Sequence, residues 1–246
     1  MNKRKLLSLA LSLSMVAILA VGGTLAYFTD TDAKVNTFTV GNIDIELVEN
    51  FGDNNPETPE ELVPATGSAQ AGTLKNGVTK EVSVKNTGSK EAYVRVHIAI
   101  PNILDDGAET FDASANLLHF NYDKTSVGEG KWDWSKTTGA AYEGDWNYYE
   151  QTIDGVLYNV YVVTYESKLA AGTETPEKAM HQVYLESTAT QEDIETANKT
   201  LGANWQILVL AEGTQTDGFA NAYEALNTAF GVPGAYTVDW SGAVKQ

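Results

Sequence analysis

The amino-acid sequence predicts an all-β protein, a β-sandwich with one or two short accessory helices. Apolar and polar residues alternate in several short segments, and Gly, Asn and Pro separate these segments. Only two stretches have helical periodicity. The chain has 246 residues, of which 43% are hydrophobic and 20% are charged, as is usual for a globular protein with a buried core.

Five segments are predicted to be strands of the sandwich. In the first, Ile43, Ile45 and Leu47 alternate with other residues, which indicates a half-buried strand. The other strands are predicted at residues 78–84, 92–100, 156–165 and 205–211. The segment 92–100 has the clearest alternation, with Arg95 and His97 on the face opposite its valines and isoleucines.

Two segments are predicted to be helices. Residues 190–201 begin with Thr190 three positions before Asp193 and are followed by Gly202, which is the pattern of a capped helix. Residues 217–230 place aromatic and leucine side chains on one helical stripe. Both helices are predicted to be additions to the sandwich, because the remaining segments have the periodicity of strands.

The connections are predicted from proline, glycine and asparagine. Residues 50–72 contain three prolines among acidic residues and are predicted to be a solvated loop insertion. Asn76-Gly77 predicts a tight turn of type I′, because both central residues of such a turn need positive φ. Residues 42–246 are predicted to form one domain, with a variable aromatic-rich region at residues 102–150.

Residues 1–26 are predicted to be a secretory signal peptide. Three basic residues near the start precede an apolar stretch at residues 6–21, which is short for a membrane span. Signal-peptidase cleavage is placed between Ala26 and Tyr27, with Thr24 as the other small residue of the cleavage site. The alternative is an uncleaved membrane anchor. The mature protein is expected to be secreted.

Charge and cysteine content exclude several function classes. The chain has 33 Asp plus Glu against 16 Lys plus Arg, a net charge of −17, and loss of the three basic residues at 1–26 makes it −20. An acidic chain of this strength repels nucleic acid, so no nucleic acid partner is expected. The absence of cysteine excludes disulfides, zinc–thiolate sites and thiol nucleophiles.

No catalytic motif is present in the sequence. The chain has no phosphate-binding loop, dinucleotide-binding glycine motif or nucleophile elbow. The histidines are His97, His119 and His181, and none begins the HExxH spacing that places two zinc ligands on one helical face. No catalytic residue and no metal ligand is therefore assigned. The alternative is a zinc site that the fold assembles from the three histidines.

Three acidic segments offer oxygen ligands of the kind that calcium prefers. They are residues 30–32, 53–55 and 105–107. None matches the twelve-residue loop that supplies a full coordination sphere, and ordinary turn chemistry explains all three. No cofactor is therefore expected, and calcium is the alternative.

Aromatic residues are concentrated between positions 132 and 149. If they are exposed, Trp132, Trp134 and Trp146 would form a contact surface for a sugar or a protein, because flat rings gain contact area at small entropic cost. The other interpretation is a hairpin whose aromatic side chains cover one end of the core. Core cover is favoured of the two.

Residues 27–41, which follow the cleavage site, are predicted to form an extended strand. Its apolar anchors are Phe28, Val35, Phe38 and Val40. Burying four such side chains contributes roughly 6–12 kcal/mol before the costs of association are subtracted. The strand can pair with its own sandwich or with the edge of a neighbour, and head-to-tail contacts that close no ring form a filament. The residues alone favour pairing within its own domain.

Several short segments resemble one known family. GGTLAYFTD at residues 22–30 is followed by TFTVGNIDI at 37–45, and VKNTGS and AYVRV occupy residues 84–89 and 92–96. QTDGF and YEALN occupy residues 215–219 and 223–227. This set of segments resembles the TasA/camelysin family of Gram-positive bacteria. The region 102–150 resembles nothing in that family.

The resemblance implies a jelly-roll sandwich that is exported through a dedicated signal peptidase and assembles into extracellular biofilm-matrix fibres. Residues 27–40 would then be a donor strand that completes the sheet of the next subunit, once cleavage has released it from the membrane. The expected partners are other copies of the chain, the signal peptidase and other matrix proteins, at the cell surface or in the matrix. A camelysin-like secreted metallopeptidase and a monomeric surface adhesin are the alternatives.

Overall fold

The described residues form two antiparallel sheets and two short α-helices. The computed structural model describes residues 42–51, 62–64, 76–105, 117–121, 130–134, 148–202, 205–241 and 243–245. The chain divides into two units, residues 1–40 and residues 41–246, and all described residues belong to the second unit. The prediction of an all-β sandwich is confirmed.

Ten strands and two α-helices are described. The strands are β1 (Ile45–Phe51), β2 (Val78–Asn86), β3 (Ala92–Pro101), β4 (Leu118–Asn121), β5 (Trp132–Asp133), β6 (Tyr148–Ile153), β7 (Val156–Leu169), β8 (Met180–Leu185), β9 (Leu208–Gln215) and β10 (Val244–Lys245). The helices are α1 (Gln191–Leu201) and α2 (Ala222–Phe230), and a 3₁₀ turn covers Asn102–Leu104. Within the described ranges, no helix is long and apolar enough to cross a membrane.

Strand β3 lies at the centre of the larger sheet. The strand order is β1-β2-β8-β4 in one sheet and β10-β9-β3-β7-β5 in the other, and β6 also pairs with β7. All ten residues of β3 are buried, because β7 and β9 pair with its two edges and side chains cover both of its faces. Its valines and isoleucines form the main core with residues of the smaller sheet. Its other face, which includes Tyr93 and Ala99, packs against α2 and the C-terminal segment 236–240.

The helix boundaries follow from their caps. Thr190 and Asp193 form a capping box at the start of α1, as predicted. Helix α2 begins at Ala222 and not at residue 217, so that part of the prediction is wrong. The reason is that Asn221 accepts a hydrogen bond from the backbone N–H of Glu224 at 2.9 Å and thereby caps the helix there.

Two other local predictions need correction. Asn76 has φ 65°, but Gly77 is not among the glycines with positive φ, so this turn is not of type I′. The turn with positive φ at both central residues is Asp154-Gly155, which joins β6 to β7. Strand β9 begins at Leu208, three residues later than predicted. The indole N–H of Trp205 donates to Asn198 of α1 at 2.9 Å. This hydrogen bond holds the residues just before β9 against the helix.

We expect Ile98→Ala to lower the free energy of unfolding by about 2–5 kcal/mol, because the truncation leaves a cavity in the centre of β3. Urea unfolding of the purified protein measures this change. The control is Leu157→Ala on β7, where the side chain is 41% exposed and the change should stay within about 0.5 kcal/mol. Equal losses in both variants would contradict the assignment of β3 to the core.

Candidate functional site

The residues predicted for cleavage and for polymerisation lie outside the described residues and stay predictions. They are Thr24, Ala26, Tyr27, Phe28, Val35, Phe38 and Val40. The structure describes the place where this segment joins the sandwich. The carbonyl of Asp44 accepts hydrogen bonds from the N–H groups of Thr87 at 2.8 Å and Gly88 at 3.0 Å, and the carbonyl of Asn42 accepts one from Ser89 at 3.1 Å. The chain is therefore anchored at the turn between β2 and β3.

Two tryptophans of the aromatic-rich region are buried in the core. Trp132 and Trp134 are 0% and 1% exposed and belong to the main core. Their indole N–H groups donate to the carbonyls of Glu177 at 2.9 Å and Ala179 at 3.2 Å. This placement agrees with the interpretation as core cover and removes both rings from any contact surface. Trp146 lies outside the described residues.

The histidines do not supply a zinc site within the described part of the chain. His97 lies on β3 of the larger sheet and His119 on β4 of the smaller one, and each has a glutamate as its own partner. The described residues contain no group of three or more His, Asp or Glu residues that could hold a metal ion. The described donor atoms therefore do not fit the ligand set of a zinc peptidase.

Arg95 is the centre of a buried ionic cluster on the outer face of the larger sheet. Its side chain donates to Glu212 at 2.6 Å, to Asn227 at 3.0 Å, to the carbonyl of Gly231 at 3.1 Å and to the hydroxyl of Tyr236 at 2.9 Å. Tyr236 in turn donates to Glu212 at 2.9 Å. One guanidinium thus binds strand β9, helix α2 and the C-terminal segment to strand β3.

His97 extends the same cluster. Its Nε2 lies 3.1 Å from Glu212 Oε2 and its Nδ1 lies 3.2 Å from the hydroxyl of Tyr149. Because a carboxylate only accepts hydrogen bonds, we place the proton on Nε2, and Nδ1 then accepts from Tyr149. Burial lowers the pKa of His97 although Glu212 opposes this, so the ring is neutral at pH 7.

The carboxylate of Glu212 is ionised in this setting. Burial by itself would raise its pKa, but the hydrogen bonds from His97 and Arg95 and the positive charge of Arg95 outweigh burial and lower the pKa to about 2. The same burial raises the pKa of Tyr236 to about 12. The cluster is an ion pair with its hydrogen bonds satisfied, and Arg95 and His97 are 1% and 0% exposed. It holds elements together and offers no open position to a substrate.

A serine, a glutamate and a lysine also form a hydrogen-bonded cluster. Its geometry indicates a structural role and not a catalytic one. Ser83 donates to Glu174 at 2.6 Å, and Lys178 donates to Ser83 at 3.0 Å and to Glu174 at 2.8 Å. A serine nucleophile needs a neighbouring base and access to substrate. Ser83 is fully buried, and its hydroxyl proton points to Glu174. The three residues fasten the segment before β8 to β2.

Two further acidic groups are engaged by tyrosines. The hydroxyl of Tyr223 on α2 donates to Asp133 and lies 3.3 Å from Glu166, which joins the helix to β5 and β7. Asp105 belongs to one of the predicted calcium segments. Its carboxylate accepts from Tyr161 at 2.6 Å, and Asn159 donates to its backbone carbonyl at 2.7 Å. Turn and core chemistry therefore accounts for Asp105.

Sequence reasoning identified Arg95 and His97 as neighbours on one strand face but did not find their partners. Arg95 and Glu212 are 117 positions apart, and nothing in the local pattern around Glu212 distinguishes it from other carboxylates. One usable signal was composition, since Arg95 is the only arginine beyond residue 4. A lone arginine on a strand with apolar neighbours indicates a buried cation that needs acceptors.

The comparison with known families gives one match. The family model for the camelysin metallo-endopeptidase matches residues 2–92. That region contains the predicted signal peptide, the predicted donor segment and strands β1 and β2. It ends at the first residue of β3, so the ionic cluster lies outside the match. No curated protein matches the chain.

We expect Glu212→Gln to lower the free energy of unfolding at pH 7 by about 3–5 kcal/mol, because it leaves the Arg95 guanidinium buried without a counter-charge. The pKa of Glu212 is about 2 in the folded protein and 4.5 ordinarily, so its contribution is complete above pH 4.5 and is lost as the pH falls towards 2. The variant should therefore lose much of the acid sensitivity of unfolding in that range. Urea unfolding at pH 7, 4.5 and 3 measures both effects.

The control for this prediction is Glu150→Gln on the exposed face of β6, which should leave stability and its pH dependence unchanged. An unchanged acid sensitivity in Glu212→Gln would show that other carboxylates determine it.

Proposed function

We propose that the chain is a member of the TasA/camelysin family, whose metallo-endopeptidase model matches residues 2–92, and that it is a secreted structural subunit of extracellular biofilm-matrix fibres. Subunits assemble head to tail by donor-strand complementation after signal-peptide cleavage. The observation that carries the proposal is the extent of the match, which covers the predicted signal peptide, the predicted donor segment and strands β1 and β2 as one continuous region.

The organisation of the chain supports the proposal. The division into two units falls at residues 40 and 41, at the end of the predicted donor segment. The second unit contains two sheets around a core in which residues of β2, β3 and β7 are fully buried. A subunit of this kind combines a folded sandwich with a separate segment that can act on a neighbour.

Cleavage controls assembly in this proposal. Before cleavage, residues 27–40 follow an apolar segment that holds them at the membrane. After cleavage the segment is free at its N-terminus and can reach the sheet edge of another copy. Phe38 and Val40 lie two positions apart and so point to one face of an extended strand, where they supply apolar anchors. The signal peptidase, other copies and other matrix proteins are the proposed partners.

The described chemistry supports a structural role over a catalytic one. The charged side chains around Arg95 are buried and satisfied by neighbours, and the buried Ser83 hydroxyl is held by the partly exposed Glu174 and Lys178. They stabilise the sandwich and its covering elements. Stability of this kind suits a subunit of an extracellular fibre, which works outside the cell without chaperones.

We expect the protein beginning at Tyr27 to form filaments and the Phe38→Asp variant to stay monomeric, because a carboxylate cannot be buried in an apolar edge without a partner. Negative-stain electron microscopy and size-exclusion chromatography measure the difference. Thr39→Asp is the matched control, since it adds the same charge to the opposite face of the strand and should polymerise. A deletion of residues 27–38 should also give monomers, and normal filaments from it would contradict the mechanism.

The family description favours a second candidate, a secreted metallo-endopeptidase. We expect the purified protein to contain no stoichiometric zinc and to leave casein intact with or without chelator, because His97 and His119 lie in different sheets and each binds its own glutamate. Metal analysis and a casein cleavage assay test this. One zinc per chain with chelator-sensitive cleavage, lost in His119→Ala or His181→Ala, would establish the peptidase instead.

A further inference from the structure

The two sheets end differently on the two sides of the sandwich. On one side the last strands are β4 and β5, and their apolar residues are fully enclosed, with Leu118 and Phe120 3% and 4% exposed. On the other side β1 and β9 lie against each other. A Cβ on Gly213 of β9 would come within 2.8 Å of the Ile45 side chain of β1. We call this second side the β1–β9 side.

The main core is incompletely covered along the β1–β9 side. Apolar residues there pack against the core but are only partly buried, and they include Ile43, Ile45, Leu47 and Ala211. Strand β10 pairs with β9 at Leu208 and Val209, and both are 1% exposed. Residues 210–214, where pairing with β10 has stopped, are half-buried. Exposure therefore rises where the edge of β9 has no further strand among the described residues.

Strand β1 also has an edge with no further strand among the described residues. Among the described strands it pairs with β2 alone, through all seven of its residues. Its outer edge thus faces the same side as the edge of β9. A further strand placed there would gain backbone hydrogen bonds from one of the two edges and would cover the partly buried side chains of both sheets.

We propose that the β1–β9 side is the acceptor for residues 27–40 of a second copy of this chain. This inference rests on the proposed fibre function and adds the location of the acceptor. The segment fits in length, because 14 extended residues span roughly 46 Å and the seven residues of β1 roughly 23 Å. It fits in pattern, because Phe38 and Val40 would face the core while Thr37 and Thr39 face solvent.

The anchoring of the chain favours a second copy over the same copy. Asn42 and Asp44 are bonded to the turn between β2 and β3, and a Cβ on Gly88 would lie 2.6 Å from the carbonyl oxygen of Asn42. This close packing holds residues 42–44 in place, so they cannot form the reversal needed to lay the segment along its own β1. This constraint favours a neighbouring copy as the partner of the segment.

Engineered cysteines test the acceptor, because the chain has none of its own. The protein beginning at Tyr27 carries Ala211→Cys together with either Asn36→Cys or Val40→Cys. After mild oxidation we expect a ladder of dimers and higher species on non-reducing electrophoresis, which a reductant collapses. The matched control replaces Ala211→Cys with Glu150→Cys, at an exposed position of β6, and should give several-fold less interchain product.

A second variant tests the same surface without cross-linking. Ala211→Lys places a charge on the β1–β9 side, a device that natural sheet edges use against pairing. We expect loss of filaments with an unchanged circular dichroism spectrum, whereas Glu150→Lys should polymerise normally. Filaments from Ala211→Lys would overturn the proposal.

The outcomes separate this inference from the proposed function. If the unsubstituted protein gives only monomers, the fibre function fails and the acceptor with it. If filaments form but the ladder appears only with Glu150→Cys, or not at all, the acceptor is wrong and the fibre function stands. Monomers with an intrachain disulfide would show that the segment pairs within its own domain, which also overturns the proposal.

Discussion

The burial of one guanidinium determines how the larger sheet is covered. Arg95 points from the central strand β3 to a face from which solvent is excluded, and a buried cation is tolerated only when its charge and its donors are satisfied. Glu212 supplies the counter-charge from β9, and α2 and the C-terminal segment supply the remaining acceptors. The positions of these three elements therefore depend on a single side chain, because moving any of them leaves a donor of Arg95 without a partner.

Local pattern was sufficient for four of the ten described strands and for one helix. Strands β1, β2, β3 and β7 lie close to where their apolar patterns place them, and the Thr190 cap of α1 is visible in the sequence because its two partners are three residues apart. Helix α2 was predicted too long. A hydrophobic stripe from residue 219 onward outweighed the weaker signal of Asn221, whose side chain begins the helix.

The candidate site was harder to predict from the sequence, because the residues that form it are far apart along the chain. Glu212 and Tyr236 bind Arg95 although more than 100 positions of sequence separate them from it. The residues next to Glu212 in the sequence do not show which of the 33 Asp and Glu residues is the partner of Arg95. Trp132 and Trp134 illustrate the same limit. Tryptophan side chains suit a surface and a core equally well. The ring contacts of Trp132 with Tyr165 and of Trp134 with Phe120 place both in the core.

The charge of the protein favours association through an edge over association through a face. Copies with a net charge of −17 repel one another, and a broad contact between acidic surfaces would have to overcome that repulsion at every point. Backbone hydrogen bonds of an added strand carry no net charge and place the bodies of two subunits at the distance set by the segment. The enclosed outer face held by Arg95 and the partly covered β1–β9 side are then complementary features. The first closes one face of the larger sheet to solvent, and the second is the edge at which the proposed assembly would take place.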